Sequence, residues 1–491
     1  LFLGGVGLFT LACSGEQVLG DYPPSSCDLA EPPVEFHDTP LSIATFWATD
    51  MYENDALQTL LDRVDRSRYF VQRQEMTTRV DTQRHINDSF ATQQLPDVFQ
   101  VNGGNDVLRW VEGRGPDKTD VCALDRLRDT YGYRQSYFES ALAPLSCHDH
   151  LYGLPVGIHH LNVLFYNRKL FSELQVLAEA QGLELTEPSA LKDPHELVAE
   201  LELVASLGAT TSSGAPIIPL AIGAQSAWPL TIVAFENVLL GLGHDAYETL
   251  WMGGLERDDG TRRTELAARL EEMVSVLRGL TSFSNVSESL SWQQALQQVG
   301  AGEALVTITG DWGYAQLGAD VTTDVATTTF PGTSGAFVYT PDSFAVPREL
   351  KKNGFPARSF LHEIVETKDA LIEFSRWKHS IPPRSDLSAA EIASLGDDVL
   401  RDTYRRFKSC EASNDCKLLL AVSGLGPPPG TDPCFDEIDA LLTLAVTGQI
   451  PTGETLDGCQ ASSPLTRETA SARLIELLLK IGEQRFASDC R

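Results

Sequence analysis

Basic residues are scarce for a chain of 491 residues: Lys and Arg total 38 against 68 Asp and Glu, a formal charge of −30, with no long basic run. A binder of phosphate backbones needs clustered Lys and Arg to replace counterions, so a nucleic-acid partner is excluded. The short motifs of common catalysis are missing too. There is no Gly-x-Ser-x-Gly elbow, no Walker lysine motif and no His-Glu-x-x-His helix. None of the nine cysteines forms a CxxC pair, so nothing carries a zinc signature. His148-Asp149-His150 reads as a solvated loop. No metal or cofactor is expected. Carboxylate pairs of glycoside hydrolysis are defined in space rather than in sequence, so a glycoside-acting enzyme stays as the lesser alternative. Internal repeats and low-complexity tracts are also absent.

What is present points to export. LFLGGVGLFTLAC (Leu1–Cys13) is apolar, too short to span a bilayer, and turns polar at SGEQ. It reads as the core of an export signal without its Met and basic start. Leu11-Ala12-Cys13-Ser14 resembles a bacterial lipobox, with Thr10 where Leu is usual, so Cys13 is the candidate for lipidation. Setting Cys13 aside leaves eight cysteines, an even number as in an oxidised, exported protein. Local pairs Cys122–Cys147, Cys410–Cys416 and Cys434–Cys459 are plausible and leave Cys27 for Cys490, but eight cysteines allow many pairings.

Length argues for more than one lobe. Residues 14–40, rich in Pro, Ser and acids, read as a tether. Strand 41–47 then leads through ATDMYEND into a helix over 56–64, with Asn54 or Asp55 as its cap. Strand 97–101 runs into the loop NGGND. Alternating strand, loop and helix imply α/β lobes, whose ligands sit beyond the carboxyl ends of strands. Two β segments broken near Gly157 span 154–166. Helices dominate 168–280, a buried strand occupies 304–308, β structure returns over 328–347, and helices follow from 360.

Four segments then resemble one family: YGLPVGIHHLNVLFYNRKLF, GEALVTITGDWGYAQ, FPGTSGAFVYTPDSFAVP and WKHSIPPRSD. In this order they are similar to family 1 solute-binding proteins of bacterial sugar ABC transporters, closest to the glucose/mannose type. The resemblance implies an α/β, bilobal periplasmic binding protein-like fold (type II), two lobes joined by a hinge with a ligand cleft between them. It divides the chain into 41–155 plus about 310–345 as lobe 1, and 156–309 plus about 346–408 as lobe 2. A helical, cysteine-containing segment, 409–491, packs on the lobes. It implies a monomeric, lipid-anchored periplasmic receptor that delivers a carbohydrate to permease subunits. A sensing role, or a solute other than a simple hexose, stays open.

A sugar ring offers hydroxyls and flat C–H patches, which call for directional polar groups and aromatic faces. Carried over from the family, the aromatic pair falls on Phe46 and Trp47, the following acid on Glu53, and the second loop on Gln100 and Asn102, the latter replacing a His. Trp292 matches a further aromatic, Asp342 the acid of a Ser-Asp-Ser-Phe element, and Lys378 the lysine before Ser-Ile-Pro, with His379 in place of Gly. A further family His has no counterpart; the nearest match is 420–424. His159 is expected to face the cleft. His160, pointed to the opposite face by strand alternation, is expected at the surface or between lobes. Asp311, Trp312 and Trp228 are secondary candidates, the first two having a structural reading as cap and packing.

Overall fold

Strand β1 (Thr39–Thr45) lies between two partners, parallel to both: β2 (Tyr69–Glu75) at the sheet edge and β3 (Val98–Asn102) inward. The computed structural model describes residue 27 and residues 39–47, 52–64, 69–76, 79–111, 119–225, 229–251, 255, 259–288, 290–317, 324–349, 354–413, 416–421, 434, 437–450, 455–459 and 465–483. Cys13 and Trp228 lie outside these residues.

A hairpin of β4 (Ser146–Cys147) and β5 (His150–Leu151) turns at His148 and Asp149, both with positive φ (50° and 67°). The 148–150 run is thus a tight turn, with His150 Nδ1 bound to Asp125 Oδ2 at 2.9 Å. β6 (Leu154–His160) joins the first sheet, and β7 (Val163–Asn167) joins a second one with β8 (Ile218–Ala221), β9 (Ala304–Ile308) and β10 (Val325–Thr329). β11 (Ala336–Ala345) returns to the first sheet, which orders β12-β11-β3-β1-β2 with β6 also on β11; β12 is Lys417–Leu420. The break between the two strands of 154–166 therefore falls at Leu161-Asn162, while Gly157 lies inside β6 beside a register shift against β11.

The chain crosses between sheets at 161–162 and again at 330–335, and Asn162 joins the two crossings. Fully buried, its Nδ2 donates to Thr333 Oγ1 (3.0 Å) and Ala336 O (3.2 Å), and its Oδ1 accepts from Val338 N (2.8 Å). Phe330 N donates to Asn162 O (3.1 Å).

Each sheet has its own core. Leu41, Ile43, Phe99, Val101 and Phe344 pack with helix Tyr52–Leu61 and with helices Phe355–Glu366 and Lys368–Lys378. The resemblance places these last two helices in the second lobe; their apolar faces (Phe360, Leu361, Leu371, Phe374) instead cover the first sheet. The first helix starts at Tyr52, so Asn54 and Asp55 lie inside its first turn rather than capping it. Helices Ile438–Thr447 and Arg467–Glu483 bury Leu441, Leu444, Leu474, Leu477 and Leu478 with Leu270 and Leu277 of the long helix Gly260–Ser282. Arg278 fastens them, its Nη2 donating to Ala445 O (2.8 Å) and Ser471 Oγ (2.6 Å). These helices are part of the second core.

Cys410–Cys416 and Cys434–Cys459 are bonded as expected. Cys122 pairs with Cys27 instead of Cys147, their Cα atoms 5.3 Å apart, and Cys147 is disulfide-bonded elsewhere. No helix among the described residues is long and apolar enough to cross a membrane.

Candidate functional site

Strand register assembles one polar face. Asn102 and Gln100 of β3 stand opposite Asp342 and Phe344 of β11, and His159 of β6 stands opposite Thr340. Residues directly opposite share a face, as do residues two apart on a strand, so Gln100, Asn102, Asp342 and His159 project together. Gln100 Oε1 accepts from Thr45 Oγ1 (2.6 Å) and Phe46 N (3.2 Å), which fixes the amide and leaves Nε2 without a protein partner. Asn102 Oδ1 and Glu53 Oε2 are likewise buried and unpartnered. Each such atom costs about 1–3 kcal/mol unless something supplies its hydrogen bond.

Charges gather over this face. Glu53, in the first turn of helix Tyr52–Leu61, meets Lys378 from the last turn of helix Lys368–Lys378, Oε1 to Nζ 3.5 Å. The lysine stands 3.9 Å from Asp342 Oδ2 and over the rings of Trp47 (5.2 Å) and Tyr52 (5.7 Å). His159 lies between two carboxylates, Nδ1 to Asp311 Oδ1 at 2.6 Å and Nε2 to Asp342 Oδ2 at 3.1 Å. Burial disfavours its imidazolium, but the Asp311 and Asp342 carboxylates outweigh that and raise its pKa. For Asp342, burial opposes ionisation; Lys378 and His159 prevail and hold it below the usual carboxylate range. Burial first, then the charge of Glu53 and a hydrogen bond to it, then the Asp311 and Asp342 charges, push the Tyr52 hydroxyl well up.

Asp311 comes from the loop after β9, in the second sheet, and brings that sheet to the first. Its N–H donates to His160 O (2.9 Å) and its Oδ2 accepts from His160 N (3.0 Å). It is not a helix cap: the short helix Gly313–Gln316 has Trp312 at that position. A Cβ on Gly310 would fall 2.1 Å from the Trp312 ring, so only glycine lets this ring fold back. Trp312 meets His159 edge-on (5.4 Å, 87°) and Trp292 edge-on (6.5 Å, 85°). His379, left-handed at φ 55°, stacks on Tyr314 of the other lobe (4.7 Å, 22°) and reaches Asp397 Oδ2 through Nε2 (2.9 Å).

The structure thus brings Glu53, Gln100, Asn102, His159, Asp342 and Lys378 to one place and adds Tyr52 and Asp311 to them. Tyr52 was missed because nothing in ATDMYEND separates it from an ordinary loop aromatic. Trp47 is 2% exposed and packs between Phe344 (5.9 Å) and Phe374 (5.5 Å), so it is a core residue with Lys378 over its ring. Phe46 is half-buried beside it, and Trp292 meets Trp312, which in turn meets His159. His160 is buried, not at the surface: its ring stacks on Phe337 (3.9 Å, 26°) on the opposite side of β6. A surface cavity of about 810 Å³ between residues 243–249 and 262–269 shares no residue with the cluster.

A family model for bacterial extracellular solute-binding proteins matches residues 68–399. The chain belongs to that family. Among relatives, an uncharacterized ABC transporter extracellular-binding protein of Pyrococcus horikoshii is 26% identical over 333 residues, 67% of this chain and 65% of that protein. A xylose/arabinose-binding protein of Haloferax volcanii is 24% identical over 293 residues, 58% of this chain and 56% of that one. The chain therefore spans under two thirds of these curated relatives' length. Of solved structures, a chitin oligosaccharide binding protein superposes with TM-score 0.67 at 15% identity, covering 91% of this chain and 100% of that one. A bacterial solute receptor with exclusive preference for β-D-galactopyranose gives 0.64 at 17% identity, covering 90% and 97%. These likenesses establish the bilobal solute-binding fold, and the family consists of binding proteins rather than enzymes. In a solute-binding protein of this architecture, the cluster lies where the two sheets meet, at the crossing strands.

Proposed function

We infer that this protein is the extracytoplasmic receptor of a sugar ABC transporter, binding a mono- or small oligosaccharide between its lobes and presenting it to permease subunits. One observation carries the reading: buried, unpartnered hydrogen-bonding atoms of Glu53, Gln100 and Asn102 surround a ring-lined ion cluster at the junction of the sheets. A saccharide supplies both what these atoms lack and the C–H faces that Trp312 and Trp292 suit. Closure of the lobes around it expels water. The ligand residues proposed are Glu53, Gln100, Asn102, His159, Asp342 and Lys378, with Tyr52, Asp311 and Trp312 beside them, Phe46 and Trp292 shaping the walls, and Trp47 backing Lys378 from the core. The Leu11-Ala12-Cys13-Ser14 run supports a lipid anchor on Cys13, with the receptor acting as a monomer outside the cytoplasm.

Isothermal titration against a sugar panel tests this. One-to-one binding is expected with Kd on the order of micromolar or below, roughly −8 kcal/mol. Absence of heat with every mono- and oligosaccharide removes the assignment.

A further inference from the structure

We propose that the saccharide bound in the cleft carries a positive charge: the site selects an amino sugar whose ammonium sits against Glu53. This rests on the sugar-receptor reading and narrows it to a class.

The charge balance of the cluster is the first observation. Three carboxylates, Glu53, Asp311 and Asp342, face two cations, Lys378 and His159. Both cations are shared. Lys378 divides itself between Glu53 and Asp342, and His159 between Asp342 and Asp311. Among the described residues, one negative charge stays uncompensated even with both cations protonated. Asp106, a further acid beside Asn102, adds no positive charge; its carboxylate accepts the Asn102 N–H (3.1 Å). All five side chains are nearly shut off from solvent, where an unbalanced charge is screened poorly and is costly.

The second observation locates the deficit. Glu53 Oε1 has Lys378 at 3.5 Å, whereas Oε2 is buried and faces no cation among the described residues, the neighbouring Tyr52 hydroxyl being neutral. Asp311 is otherwise occupied, one oxygen on His159 and the other on the His160 N–H. Asp342 Oδ2 takes both His159 and Lys378. Asn102 Oδ1, on the same sheet face as Asp342, is a second buried acceptor with nothing to accept. A ligand ammonium has three N–H donors and one positive charge, which fits a carboxylate oxygen and an amide oxygen together. A uronate or sugar phosphate would instead place a like charge among three carboxylates.

The test uses the full chain and titration calorimetry near about pH 6, where a sugar amine is protonated. The probes are glucose, glucosamine, N-acetylglucosamine and glucuronate with their galacto counterparts, as monosaccharides and β-linked disaccharides. The amine is expected to bind at least about tenfold more tightly than its N-acetyl and neutral analogues, and the uronate to give no heat. Neutral or N-acetyl sugars binding as tightly as the amine, or a bound uronate, overturn the charge assignment and leave the sugar reading standing. Silence from every member of both series overturns this inference and leaves the sugar reading to the wider panel. Glu53→Gln, checked for folding by its melting curve, is expected to shrink the amine's advantage to within about twofold of the neutral sugar. An undiminished advantage in the folded variant overturns the placement at Glu53.

Discussion

His159 and His160 are neighbours with opposite electrostatic fates. His159 sits among carboxylates and its pKa is raised, so it takes up a proton on folding. Its contribution to stability is complete below the unfolded value near about pH 6.5 and is lost as pH rises through the folded one. His160 is buried against Phe337 with Arg406 nearby, and burial followed by that charge lowers its pKa to about 3. It folds neutral, so its contribution is lost as pH falls below the unfolded value, at roughly 1.4 kcal/mol per pH unit. Two variants separate these effects in thermal melts from acid to mildly alkaline pH. His159→Gln should flatten the fall in Tm above neutrality. His160→Phe should keep the stack and flatten the fall on the acid side. Strand alternation made the opposite orientation of the two rings legible in the sequence. Their partners were not, because Asp311 and Asp342 come from 152 and 183 residues away.

At the scale of elements, the central strands carried their own signal and the edges did not. β3 and β9 are buried along their whole length and read as apolar runs. β2, YFVQRQE, lies at a sheet edge with Phe70 54% exposed, and its mixed pattern passes for loop. Helix Lys368–Lys378 was readable as a helix, but its lobe was not, since amphipathicity says that a face is covered and not by what. Trp47 shows the same limit: strand-end position suggested a ligand wall, whereas the ring is wedged on Phe344 and Phe374. Trp47→Ala should accordingly cost about 3–5 kcal/mol in denaturant unfolding as well as weaken ligand binding. The Cys434–Cys459 bond closes a loop of separation 25 beside helix Ile438–Thr447. Replacing both cysteines with Ser should lower stability by about 3 kcal/mol under oxidising conditions, measured against the intact protein.

For the whole molecule, the resemblance of four short segments anticipated a bilobal solute-binding fold, and the family match and superposable structures agree with it. The last helices had no assigned role from sequence; they complete the second core, where Leu477 is fully buried. Leu477→Ala should cost about 2–5 kcal/mol, and calorimetry should show the loss in the transition that includes the second lobe.

Asn162 has a mechanical consequence. Its side chain binds the returning crossing at Thr333, Ala336 and Val338, so the two connectors are riveted at one point. Three hydrogen bonds gathered at one side chain oppose sliding of these two connectors past each other more than turning about that point. A change of angle between the two sheets is therefore the motion that Asn162 hinders least.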